Sequence, residues 1–169
     1  MIKTKMLSLL GVTALIFTSC SSRGAMDHFD KNEHYERAMT SLQIGTLVQH
    51  LETKAVLKTI YLNHVFDKKY QEGENFYIST YIDKDPYEEK QQGILHKHYN
   101  LRLNNKKATR ITELENNDSL RLLMPLTERW SRYYYVRFDE AKGNDLNLTF
   151  SYKEQGTILL KYAKDELEK

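Results

Sequence analysis

The chain has 169 residues, with 25 Lys and Arg against 23 Asp and Glu, and a formal net charge of +2 at pH 7. That length suits one domain with a substantial core. Cys20 is the single cysteine. An internal disulfide is therefore excluded, and the fold must be stabilised by core packing alone.

The first residues have the pattern of an export signal. Lys3 and Lys5 form a basic leader, and an apolar run follows from Met6 to Phe17. A bilayer span needs about 20 apolar residues, so this run is too short to cross a membrane comfortably. A charged start, a short apolar segment and small residues before the cleavage point predict a secretory signal over residues 1–19.

The segment Phe17–Cys20 resembles a bacterial lipobox, in which the cysteine thiol is acylated and the cysteine becomes the first residue after cleavage. The resemblance implies that Cys20 carries a fatty acid such as palmitate and that the membrane is a partner through this anchor. Residues 20–26 would then be a lipidated tether. Ser21 and Ser22 follow the cysteine, and by resemblance to enteric bacterial sorting the lack of Asp there favours the outer membrane of the cell envelope.

Removal of residues 1–19 changes the charge balance. It takes away Lys3 and Lys5 and no acidic residue, which leaves 23 basic and 23 acidic side chains in a mature chain of 150 residues. A neutral domain without a basic run gives no electrostatic case for a nucleic-acid partner or for a polybasic grip on a membrane.

The mature chain begins with a helical pattern and continues with short strands. Asp30 followed by Glu33 has the spacing of a capping box, which predicts a helix over Asp27–Ser41. Gly45 weakens a continuation of the helix and favours a first strand over Thr46–Leu51. Further strands or apolar runs are predicted at Lys54–Phe66, Asn75–Asp83, Gly93–Leu103, Ala108–Leu114, Ser119–Met124, Trp130–Phe138, Leu146–Tyr152 and Ile158–Tyr162.

Trp130–Phe138 has the strongest strand pattern in the chain. Aromatic and β-branched residues fit a pleated sheet, and no helical stripe runs through the segment. Read at a period of two, it has Tyr134, Val136 and Phe138 on one face and Tyr133, Tyr135 and Arg137 on the other. The pattern predicts a central strand.

About seven to nine short strands, with turn signals about every 10 residues, predict an all-β, mainly antiparallel sandwich with an N-terminal helix over residues 27–169. The strand pattern alone also permits a barrel. The segments Glu52–Ala55, Tyr61–Asn63 and Trp130–Phe138, with the apolar hairpin that follows, resemble small Gram-negative lipoproteins that carry a variant immunoglobulin-like β-sandwich domain. No Cys-Trp-Cys arrangement is present, so a true antibody-type domain is excluded. The resemblance implies a non-enzymatic surface protein.

The sequence lacks the common catalytic and cofactor motifs. It has no Gly-x-Ser-x-Gly, no phosphate-binding glycine loop, no His-Glu-x-x-His and no cysteine pair. We therefore expect no enzyme activity and no cofactor. His96 and His98 are weak metal candidates, because two imidazoles on one strand face need a third ligand. Solvent-facing histidines are the favoured interpretation.

Four tyrosines suggest a binding patch. One predicted strand contains Tyr77 and Tyr81, and another contains Tyr133 and Tyr135. If these two strands are neighbours, the four tyrosine side chains share an outer face of the sheet with Arg137. Tyr and Arg are enriched at binding hot spots. Tyr is also a common strand residue that pairs across strands, so the pattern has a purely structural interpretation as well.

Two segments fit the pattern Asn-x-Ser/Thr with an acidic residue two positions before the Asn. They are Glu115–Ser119, with Asn117, and Asp145–Thr149, with Asn147. Both resemble the extended acceptor sequence of some bacterial oligosaccharyltransferases. Asn117 is the better predicted acceptor because it lies in a turn.

The first functional prediction is a lipid-anchored envelope protein that binds a protein or a host surface and catalyses nothing. One alternative is a periplasmic structural or assembly subunit of an envelope complex. The other alternative is a small-ligand or metal carrier that uses His96 and His98.

Overall fold

Two antiparallel sheets pack face to face in the computed structural model, which describes residues 33–66, 68–83, 93–125, 127–152 and 155–165. The predicted signal, the tether and the first residues of the predicted helix lie outside the described residues. The described strands are β1 (Leu42–Gln49), β2 (Glu52–Tyr61), β3 (Glu74–Ile82), β4 (Tyr99–Leu103), β5 (Lys106–Lys107), β6 (Arg110–Glu113), β7 (Arg132–Phe138), β8 (Asp145–Tyr152) and β9 (Gly156–Ala163). The predicted mainly antiparallel all-β fold is confirmed.

The larger sheet has the strand order β1-β2-β3-β7-β6, and the smaller sheet has the order β5-β4-β8-β9. Two short α-helices accompany the larger sheet: α1 (Glu33–Ser41) precedes β1, and α2 (Leu62–Val65) lies between β2 and β3. Two 3-10 turns, Gly93–Leu95 and Ser119–Leu123, lie between strands. No helix in the described part of the chain is long and apolar enough to cross a membrane.

The main core lies between the two sheets. Alternate residues of β3 and β7, such as Phe76 and Val136, face alternate residues of β8, such as Leu148 and Phe150, and all four are at most 1% exposed. This period of two is the one expected of strands with one face on a core. Each such side chain contributes roughly 1.5–3 kcal/mol on burial, which suits a fold with no disulfide.

A second core covers the opposite face of the larger sheet. Ala38 of α1 and Leu120, Leu123 and Met124 near the second 3-10 turn pack on this face. Strand β3 is consequently buried on both sides along nearly its whole length. Helix α1 and the second 3-10 turn therefore cover the face of the larger sheet that the sequence pattern predicted to be exposed to solvent.

Several predicted boundaries were wrong, each for a local reason. Lys54–Phe66 divides into β2 and α2, and Gly93–Leu103 divides into a 3-10 turn and β4. Ser119–Met124 is a 3-10 turn, because the Asp118 side chain caps it by accepting the Leu120 N–H at 2.9 Å. Trp130 precedes β7 and lies outside the sheet.

Strand β1 starts at Leu42, earlier than the predicted Thr46. Gly45 does not end it: a Cβ at this position would lie 2.2 Å from Cγ2 of Ile158 in β9. The missing side chain lets β1 approach β9, a use of glycine common inside strands. The β1–β2 hairpin turns at His50 and Leu51, both with positive φ, where the sequence has no Asn-Gly signal.

Candidate functional site

A pocket of about 500 Å³ opens at one end of the larger sheet. It lies between the turn after β6 and the loop that enters β7. We call it the Trp130 pocket, and its described lining residues are Glu113, Leu114, Asn116, Arg121, Thr127, Glu128, Arg129, Trp130, Ser131, Arg132 and Tyr133. This lining combines three guanidinium groups, two carboxylates and an indole.

Two of the arginines are fixed by neighbouring groups. The Arg121 guanidinium lies 4.2 Å from the centroid of the Tyr133 ring, a cation–π distance, and donates to Oδ1 of Asn116 at 2.7 Å. The Arg132 guanidinium donates to Oε1 of Glu113 at 2.9 Å. Guanidinium groups positioned in this way are ready to bind a carboxylate, a phosphate or sugar hydroxyls.

Glu128 organises the loop on the other side of the Trp130 pocket. Its carboxylate accepts from Lys58 at 2.7 Å and from Ser131 at 3.0 Å, and its backbone N–H donates to the Tyr133 hydroxyl at 2.6 Å. The hydrogen bond from Lys58 lowers the pKa of the Glu128 carboxyl below its ordinary value. The Ser131 hydroxyl thus bonds to a carboxylate and has no histidine beside it in the described lining, unlike an activated nucleophile.

Trp130 is the unusual member of this lining because 71% of its surface is exposed. Large aromatic residues normally bury most of their surface in a fold. An exposed indole beside ordered arginines is the composition of protein binding hot spots. The arrangement can therefore bind a polar partner by stacking and by charge-assisted hydrogen bonds.

The predicted tyrosine patch is only partly available. The strands are neighbours as the prediction required, since Tyr77 pairs with Tyr135 and Ser79 pairs with Tyr133 in the β3–β7 ladder. The prediction of an exposed face was wrong for Tyr77 and Tyr133, which are 0% and 2% exposed. Leu120 and Leu123 pack over these two tyrosine side chains. The sequence signal for this packing was the spacing of three between the two leucines, directly after the capping residue Asp118.

The other members of the predicted patch remain partly exposed, and Tyr81 lies apart from Tyr135 and Arg137, which are neighbours on one face of β7. Tyr135 is half-buried and donates to Oδ1 of Asn75 at 2.6 Å. Arg137 pairs with Glu72 at 3.0 Å. Tyr81 lies opposite Val56 of β2, two positions along β3 from Ser79. The structure therefore does not assemble the predicted patch as one exposed surface.

His96 and His98 adjoin each other, with ring centroids 4.3 Å apart, in the turn before β4. The His98 backbone N–H donates to Nδ1 of His96 at 3.3 Å. The expectation of two solvent-facing histidines was wrong for His96, which is 2% exposed. Among the described residues no three His, Cys, Asp or Glu side chains are placed to hold a metal ion.

The two predicted acceptor asparagines lie in different settings. Asn117 is exposed in the turn after β6, close to the Asn116 side of the Trp130 pocket. Asn147 is inside β8, where its backbone N–H donates to Oδ1 of Asn104 at 2.8 Å. A turn offers the backbone freedom that an acceptor sequence needs, so the structural setting favours Asn117 over Asn147.

A buried polar cluster was not predicted. The Glu74 carboxylate, 2% exposed, accepts from the Tyr61 hydroxyl at 2.5 Å, from Lys164 at 2.7 Å and from the backbone N–H of Ala141 at 2.8 Å. His64 adds a contact of 2.8 Å from its Nε2 to the Lys164 carbonyl. We call Tyr61, Glu74, Ala141 and Lys164 the Glu74 cluster. Both carboxylate oxygens are already bonded, so the cluster links β2 and β3 to the segments that precede β8 and follow β9, rather than offering a reactive group.

Cys20 lies outside the described residues. No protein-family model, curated protein or solved structure matches the chain.

Proposed function

We propose that this protein is a lipid-anchored component of the bacterial cell envelope, attached at Cys20 to the outer membrane. The support is the order of features at the start of the chain: two lysines, an apolar run and a cysteine followed by serines. Mature bacterial lipoproteins resemble multiply acylated proteins. Such proteins stay bound to a membrane, whereas a protein with one acyl chain is held only weakly. The domain is thus kept near the membrane while its own surface stays available for binding.

The domain that this anchor carries is an immunoglobulin-like sandwich. Support comes from the strand order: β2-β3-β7-β6 corresponds to A-B-E-D, and β4-β8-β9 corresponds to C-F-G, with β5 beside β4 as a C′ strand. Strand β1 is then an additional edge strand before A. Immunoglobulin-like sandwiches present loops at their ends for recognition, which agrees with a binding role.

The function that the geometry supports best is non-catalytic binding through the Trp130 pocket. The observation that carries it is the 71% exposed Trp130 beside the ordered Arg121 and Arg132. An indole and guanidiniums recognise a polar or acidic group of a protein or a surface saccharide. The described lining residues offer binding groups and no arrangement of nucleophile and base.

Replacement of Trp130 by alanine tests this function. The mature chain carrying Cys20→Ser is immobilised on a support. Solubilised envelopes of its own cells and host-surface extracts are passed over it, and the molecules that it retains are quantified. We expect Trp130→Ala to weaken retention by at least about tenfold, the effect of losing an aromatic hot spot.

The matched control is Leu159→Ala, which removes an apolar side chain that is 50% exposed on β9, in the other sheet. This variant is expected to retain the same species as the unaltered chain. Equal retention by the Trp130→Ala protein, folded by circular dichroism, would contradict the proposal.

A further inference from the structure

One segment of this neutral domain is strongly cationic. Residues 93–112 contain five cationic side chains and no Asp or Glu; the cations are Lys97, Arg102, Lys106, Lys107 and Arg110. The balance of the whole chain conceals this local excess. A positive region of this kind creates a potential that attracts anions.

The fold places two of these cations directly opposite each other. Arg102 of β4 pairs with Lys107 of β5 in the ladder, and like charges in that relation are destabilising. The Arg102 guanidinium donates to Oδ1 of Asn100 at 3.2 Å and to the Asn105 carbonyl at 2.9 Å, both neutral acceptors. Within the described ranges, Lys97 and Lys107 form no ion pair.

A cleft of about 410 Å³ adjoins these charges, between the β4–β5 edge of one sheet and β6 of the other. We call it the cationic cleft. Ile94, Leu101 and Ile111 form part of its apolar lining, and Lys97, Arg102 and Lys107 belong to its polar lining. No carboxylate is among its described lining residues. Leu95, at its rim, is 37% exposed.

We infer that the cationic cleft binds the phosphate headgroup of an anionic membrane phospholipid. Lys97, Arg102 and Lys107 supply the charge for the phosphate, and the exposed Leu95 and the half-buried Ile111 suit the start of an acyl chain. These two apolar side chains favour a lipid, because free phosphate needs only charge and hydrogen bonds. The inference goes beyond the Trp130 pocket and gives the tethered domain a preferred face towards its membrane.

Tethering makes a modest affinity sufficient. A domain anchored at Cys20 would meet headgroups at a high effective concentration, so a weak site is occupied without any further partner. Each Lys or Arg near an anionic surface is worth about fivefold in binding at moderate ionic strength. Three such residues are enough to orient the domain, and their effect falls as salt screens the charges.

The test uses the mature chain, residues 20–169, with Cys20→Ser, so that vesicle binding reports the domain surface without the acyl anchor. Vesicles of phosphatidylcholine are compared with vesicles containing roughly 30% phosphatidylglycerol. We expect preferential co-sedimentation with the anionic vesicles. The variant Lys97→Gln, Arg102→Gln, Lys107→Gln is expected to weaken that binding by at least about tenfold.

The charge-matched control is Lys68→Gln, Lys142→Gln, Lys161→Gln, which removes three exposed cations outside the cationic cleft. It should stay within about twofold of the unaltered chain, since only distant charge is lost. Equal weakening by both variants, or no preference for anionic vesicles, would overturn the inference. A short-chain phosphatidylglycerol that binds the soluble chain no more tightly than inorganic phosphate would identify a free-phosphate site and also overturn it. None of these results bears on acylation of Cys20 or on retention through Trp130, which are measured separately.

Discussion

Replacement of Glu74 by alanine is expected to lower the free energy of unfolding by about 3–5 kcal/mol, because it leaves a buried cluster without its anion. Tyr61 and Lys164 both direct their polar atoms at this carboxylate, at 2.5 and 2.7 Å. Without it, the Tyr61 hydroxyl loses its acceptor and the Lys164 ammonium loses its counter-charge. Urea denaturation followed by circular dichroism measures the loss.

Glu72→Ala is the control for this effect. Glu72 also pairs with a cation, Arg137, at 3.0 Å, but its side chain is 83% exposed. Exposed ion pairs contribute roughly 0–1 kcal/mol, so this variant should unfold almost where the unaltered chain does. Similar losses of unfolding free energy for the two variants would contradict a stabilising role of the Glu74 cluster.

Alkaline pH is expected to destabilise this domain progressively above about pH 10, because buried tyrosines keep their protons in the folded chain. Burial raises the pKa of Tyr61 well above its usual value, and the hydrogen bond to Glu74 raises it further. Burial likewise raises the pKa of Tyr77 and of Tyr162. These phenols ionise readily only when the chain unfolds.

The sign follows from the proton count. Below about pH 10 each phenol is protonated in both states, so the full stability is present; above it, the unfolded chain loses protons that the folded chain retains. The free energy of unfolding therefore falls by up to about 4 kcal/mol per pH unit for the three groups together. Urea titrations at a series of pH values measure this slope.

Tyr77→Phe sharpens the pH experiment. The Tyr77 hydroxyl is buried and has no hydrogen-bond partner within the described residues, so its removal should not lower stability at neutral pH. The variant should reduce the slope of unfolding free energy against pH above about pH 10 by about a third, because unfolding then releases two phenol protons and not three. Ionisation of all 12 tyrosines near their ordinary pKa, with the fold retained, would contradict this account.

The sheet pairing was readable from the sequence where alternation was strong. Trp130–Phe138 alternates regularly, so the end of β7 at Phe138 was predicted and its start was two residues early. Strand β3 was predicted as Asn75–Asp83 against the observed Glu74–Ile82. Their antiparallel pairing, which the patch hypothesis assumed, is present. Local alternation predicts such strands because one face must meet a core.

The segments that cover a sheet face can be distant from it in the sequence. For this reason the prediction of an exposed tyrosine face failed. Nothing in the alternation around Tyr77 or Tyr133 shows that Leu120 and Leu123 return over the same face. A chain-wide charge balance likewise concealed the opposed Arg102 and Lys107, which only the β4–β5 register brings together. Trp130 was assigned to a strand by its residue type, whereas the turn before β7 leaves it in solvent.

A fatty acid on Cys20 is proposed to attach the binding sandwich to the envelope. Metabolic labelling with radioactive palmitate detects this fatty acid, with the unaltered chain and Cys20→Ser expressed in Gram-negative cells. We expect label on the unaltered chain and none on the Cys20→Ser protein, because Cys20 is the single cysteine. An unlabelled, exported chain, or equal label on both proteins, would contradict it.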